Sequence, residues 1–139
     1  MRKAIMMVLV IAVVGITTAS AETWEQFIKR AETMTYNSVE GRKRGDPSTW
    51  NYDKWGALLA TYEWLKYAYE DIYKKAPNLT SYERSAYGDI YKLRARQYKE
   101  LDSIFDLIHG GNTTSIDKVR DRCNYWYKHL ENGGTIKFN

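Results

Sequence analysis

Apolar side chains recur along most of this chain at spacings of three and four residues, and no useful stretch alternates at a spacing of two. That periodicity predicts helices and no strands. A first helix is expected over about 24–38. Thr23 caps it, Gln26 completes a capping box, and Trp24, Phe27, Ile28, Ala31 and Met34 share one face. The stretch 40–47, flanked by glycines and ending in Asp-Pro, reads as a loop. A second helix, about 52–75, starts behind Asn51 and stops before Pro77. On it Trp55, Leu58, Leu59, Tyr62, Leu65, Tyr69, Ile72 and Tyr73 cluster together, while Trp64 and Tyr67 leave that cluster as a pair. Such a helix is either enclosed on several sides or shows an aromatic patch to a partner.

A third helix, about 81–109, opens on the box formed by Thr80 and Glu83 and stops at Gly110 and Gly111. Its expected inner stripe is Ala86, Ile90, Leu93, Gln97, Leu101, Ile104 and Ile108, with Tyr87, Tyr91, Tyr98 and Phe105 along one flank. A fourth helix, about 115–131, is expected to use Thr114 as its cap and to end at Gly133 and Gly134. Ile116, Val119, Cys123, Trp126 and Leu130 give it a heptad-like seam. Four such helices joined by short loops predict an all-α domain. The expected form is a small up-and-down four-helix bundle, or an irregular four-helix domain with the first helix lying across the others.

The N-terminus has a different pattern. Arg2 and Lys3 precede an apolar run over 4–16, and small residues lead to Ala19, Ser20 and Ala21. This is the three-part plan of a secretory signal peptide, with cleavage expected after Ala21. The apolar core is short of the roughly 20 residues a membrane span needs. The expected organisation is therefore a signal peptide over 1–21 and a single helical domain over 22–139, with no integral membrane span after processing. The expected location is exported: periplasmic in a Gram-negative cell, otherwise secreted.

Composition narrows the chemistry. The 139 residues carry 21 basic and 17 acidic side chains, a net charge of +4, and two of the basic residues lie in the expected signal. That balance is too slight for nucleic acid, which calls for a concentrated basic face. A single Cys makes no internal disulfide, and with two His it cannot complete a structural zinc site. Cys123 sits in the seam of the fourth helix, where a thiol behaves as a small hydrophobe. Asp106 and His109 form one D-x-x-H, but no Glu-x-x-His accompanies it, so no metal and no cofactor are expected. Asp102 and Asp106 fall outside the apolar stripe and read as a solvated edge. No nucleophile elbow, zinc-protease motif or phosphate-binding glycine loop occurs, and catalysis is not expected. Arg42, Lys43 and Arg44 form a basic triplet flanked by Glu40 and Asp46, which partly cancel it.

The unusual quantity is aromatic: 12 Tyr, 5 Trp and 3 Phe. Tyr and Trp combine a large apolar body with a polar tip and are enriched in interface hot spots. Trp64, Tyr67, Tyr87, Tyr91 and Tyr98 are the candidate binding residues. The expected function is a non-catalytic helical binding protein that engages another envelope or secreted protein through this aromatic surface. Inhibitor, immunity or chaperone-like roles suit such a domain. The alternative is a module for cell-wall glycan or an apolar ligand, followed by a small wall hydrolase. Self-assembly into a homo-oligomer stays open.

Overall fold

A computed structural model describes residues 22–34, 43 and 45–136. Among them the chain forms four helices, α1 (Trp24–Met34), α2 (Tyr52–Lys75), α3 (Ser81–His109) and α4 (Thr113–Glu131), and no strand. The protein is all-α, a four-helix bundle. The expected signal segment, the end of the first helix beyond Met34, and Arg42 and Arg44 lie outside the described residues.

Local chemistry sets each boundary. At α1, the Thr23 hydroxyl accepts from the Gln26 amide while the Gln26 side chain accepts from the Thr23 amide. The same reciprocal pair joins Thr80 and Glu83 at the start of α3. Those bonds hold the Glu83 carboxyl below its ordinary range. A 3₁₀ turn, Pro47–Thr49, is capped by Asp46 and leads into Trp50. Asn51 caps α2 by accepting from the Lys54 amide, and Pro77 forbids its continuation. The fourth helix begins two residues earlier than expected. Its cap is Asn112, not Thr114, because the Asn112 side chain accepts from the Ser115 amide immediately after the left-handed Gly111.

The last carbonyls of two helices are met by arginines from elsewhere. Arg84 of α3 donates to the carbonyls of Tyr73 at 2.6 Å and Ala76 at 2.8 Å, closing the end of α2. Arg30 of α1 donates to the Leu130 carbonyl at 2.8 Å, closing α4. Both place a cation where the helix dipole is negative and the carbonyls lack intrahelical partners.

The core is organised around α2. It packs along its length against both α3 and α4 and more briefly against α1, whereas the backbones of α3 and α4 hardly approach each other. Trp55 packs at a tilt against Phe105 near one end and Tyr69 stacks on Tyr87 toward the other, so α2 and α3 run antiparallel. Tyr52 meets Ser115, and Gly56 meets Cys123, so α2 and α4 run parallel. The short α1 touches all three: Phe27 on Trp64 of α2, Arg30 at Leu130 of α4, and Glu32 accepting from Tyr87 of α3. Every residue of α2 from Trp55 to Leu65 is consequently buried. Of the two readings of this doubly apolar helix, enclosure is the one realised. Fully burying apolar side chains such as Leu58, Leu65 and Ile72 stabilises the fold by roughly 1.5–3 kcal/mol each.

The orientation of α3 differs from expectation. The side toward α2 is the aromatic flank, with Phe105 and Leu101 buried and Tyr87, Tyr91 and Tyr98 half-buried. The aliphatic stripe becomes an edge: apart from Leu101, its members are half-buried or, at Ile104 and Ile108, exposed. Aromatic rings remove more area from water than aliphatic side chains, so a helix offering both turns its rings inward.

Candidate functional site

The aromatic residues expected to form a surface divide between core and seam. Trp64 is only 4% exposed and belongs to the core. Phe27 meets its ring edge-on at 5.6 Å, and the Arg30 guanidinium lies 4.5 Å from its ring centre. It does leave the main stripe of α2, but α1 covers the face it turns to, which removes it from any outward surface.

Tyr67, Tyr87, Tyr91 and Tyr98 are half-buried. The Lys66 ammonium bridges two of them, 4.4 Å from the Tyr67 ring centre and 5.1 Å from that of Tyr98. Tyr87 stacks on Tyr69 and donates its hydroxyl to Glu32 at 3.1 Å. Burial, with the Glu32 carboxylate beside it, pushes Tyr87 up to about 12. Tyr91 is likewise raised, first by its hydrogen bond to Glu70 and then by burial. The Tyr87 and Tyr91 phenols stay neutral at physiological pH, Tyr87 donating to Glu32 of α1 and Tyr91 bonding Glu70 of α2.

Past Tyr91 the seam opens. Tyr73, Leu79, Ser81, Arg84, Ser85, Gly88, Asp89, Tyr91 and Lys92 line a cavity of about 380 Å³. Gly88 makes this possible. A Cβ there would lie 2.9 Å from the Tyr73 ring, so the ring rests directly on the α3 backbone. Tyr73, which the periodicity places in the inner cluster of α2, is 38% exposed here. Two rings, two hydroxyls, a carboxylate and two cations converge on a concave surface, the mix by which binding sites orient a ligand. The spacing of apolar residues gives no hint of this groove. The one signal is a glycine inside a strong helix, which costs about 1 kcal/mol of propensity and so calls for a packing or functional reason.

The remaining candidates are structural. Cys123 is buried, as its seam position predicts. His109 ends α3 against the rings of Trp55 and Phe105. His129 places Nε2 3.0 Å from the Thr135 carbonyl. Asp106 is exposed, and its backbone carbonyl accepts from the Gly110 amide. No group of three metal-ligating side chains occurs among the described residues, and no helix among them is long and apolar enough to cross a membrane. Comparison with known protein families, curated proteins and solved structures finds no match to this chain.

Proposed function

We propose that this chain is an exported, non-catalytic helical binding protein that engages another envelope or secreted protein through the tyrosine-lined groove at the α2–α3 hairpin. The observation that carries this reading is the groove itself, where the Tyr73 ring packs on the α3 backbone at Gly88 with Tyr91 beside it. Rigid tyrosines give large contact area at low entropic cost, and Arg84, Asp89 and Lys92 supply orienting charge. Export rests on the charged, apolar and small-residue succession over 1–21.

The test is retention from envelope extract on the full chain, expressed with its own N-terminus and purified. The Tyr73→Ala/Tyr91→Ala variant serves as comparison. A specific protein held by the wild type and lost by the folded variant is the expected result. Equal retention by both, or none by either, removes the groove from the function. The alternation of rings with Ser85 and Asp89 also suits a saccharide. A wall-glycan titration that saturates on the wild type and fails on the variant would favour that occupant over a protein.

A further inference from the structure

The polar joint between α2 and α4 carries more hydrogen-bonding capacity than it uses. Asp53 Oδ1 accepts from Arg122 Nε at 2.7 Å and from the Trp126 indole at 2.8 Å. The Arg122 guanidinium also lies 4.4 Å from the centre of the Tyr125 ring, which is 53% exposed and meets Trp126 edge-on. These contacts hold a carboxylate, a guanidinium and a ring in fixed orientation at one place on the surface. They occupy one oxygen of Asp53 and one nitrogen of Arg122. Among the described residues, Asp53 Oδ2 and both Arg122 Nη atoms have no hydrogen bond, and the two side chains are 51% and 39% exposed.

The charge balance and the exposed ring together select a ligand class. Asp53 and Arg122 cancel, and the adjoining charges on α4, Lys118 and Asp121, are again one of each sign. A carboxylate or an ammonium would therefore meet its like charge about as closely as its opposite. An apolar ligand would strip water from these polar atoms and return no hydrogen bond. A hydroxyl both donates and accepts, so two neighbouring hydroxyls satisfy an acceptor and a donor set side by side. The C–H face of a sugar ring suits the negative face of an aromatic one.

We propose that Asp53, Arg122 and Tyr125 form a binding site for a neutral saccharide. A pyranose ring lies on Tyr125, one of its hydroxyls donates to Asp53 Oδ2, and the neighbouring hydroxyl accepts from Arg122 Nη. Trp126 acts through Asp53, whose carboxylate its indole holds in place. The site lies on an open surface and not in a cleft, so a single sugar chain binds weakly, in the millimolar range. It is separate from the tyrosine-lined groove, because Asp53 and Tyr73 stand roughly 30 Å apart along α2 at the helical rise per residue.

The test is a heteronuclear NMR titration of the full chain, with maltotetraose, cellotetraose and chitotetraose as neutral probes and tetragalacturonate as a charged one. The Trp126 indole N–H reports directly, because its acceptor is Asp53. At least one neutral probe is expected to shift that signal and the Tyr125 amide saturably, while the indole of the buried Trp55 stays still. Tyr125→Ala, at an exposed position, should keep the circular dichroism of the wild type and weaken binding about tenfold. Arg122→Met, which keeps an unbranched stem without donors, should weaken it as well. The proposal is overturned if no neutral probe moves the Trp126 indole, or if Tyr125→Ala binds like the wild type. Tetragalacturonate binding as tightly as the neutral probes would also sink it, since the site would then be reading charge. Shifts at Gly88 and Tyr91 in place of Trp126 would put the sugar in the groove and overturn this site. The Tyr73→Ala/Tyr91→Ala variant should bind the neutral probes like the wild type, which separates failure of this site from failure of the groove.

Discussion

Two glycines inside helices show how much a single missing Cβ can decide. At Gly56 an added Cβ would stand 2.5 Å from Arg122 Cβ and 2.7 Å from the Cys123 amide nitrogen. Those atoms belong to the α4 main chain or its root, so the helices themselves would have to separate. Alanine would gain about 1 kcal/mol of helix propensity. The forced shift in a fully packed interface costs about 1–3 kcal/mol or more, and backbone contacts put Gly56 at the upper end. Gly56→Ala is therefore expected to destabilise by about 2 kcal/mol net in urea unfolding. Gly88→Ala meets only the swinging ring of an exposed tyrosine and should be near neutral. Equal effects at the two sites would mean that α2 and α4 do not approach as closely as described. The sequence marks both glycines as anomalies in good helices, but which one is crowded by backbone depends on a helix far along the chain.

At the scale of elements, local signals served well wherever the determinant was local. The bounds of α2 and α3 follow from Asn51, Pro77, the Thr80 and Glu83 box and the glycines after His109, all within a few residues of the ends they set. Rotation about the helix axis is a different matter. Periodicity finds both an aliphatic and an aromatic stripe on α3 and cannot rank them, because the ranking depends on the rings of α2 that receive them. Trp64 shows the same gap: its angle on α2 was legible, while its cover by α1 was not. Trp64→Ala accordingly removes a buried ring against which Phe27 and Arg30 pack, and should cost about 3–5 kcal/mol. The loss should concentrate in α1, whose amides are expected to lose hydrogen-exchange protection ahead of those of α2–α4. Unchanged stability with α1 protected would return Trp64 to the surface.

Over the whole molecule, enclosing α2 on several sides brings carboxylates into poorly solvated places, and this gives stability a pH dependence opposite to that of most salt-bridged proteins. Burial pushes Glu131 up to about 7, against a smaller lowering by Lys128, and one of its oxygens is buried without a hydrogen-bond partner. Asp71 is raised too, first by burial, with Lys75 opposing. The Tyr127 phenol, its oxygen likewise unpartnered, is pushed up by burial and then by Glu131 and Glu63. Between the ordinary glutamate range and about 7, the folded chain keeps a proton on Glu131 that the unfolded chain has released. The unfolded state then binds fewer protons, so stability falls as pH rises through that window and levels off above it. Glu131→Gln holds the neutral form at every pH. It should raise stability above neutrality by on the order of 1 kcal/mol, the full shift being discounted for the solvent that reaches this partly exposed side chain. Its effect should vanish toward acid pH, while Asp71 leaves a residual slope of the same sign. Chemical denaturation across the acid-to-neutral range, wild type beside Glu131→Gln, checks this directly. A variant that is less stable at every pH would mean that the Glu131 carboxylate is a favourable partner in the α2–α4 interface and not a desolvated charge that the fold tolerates.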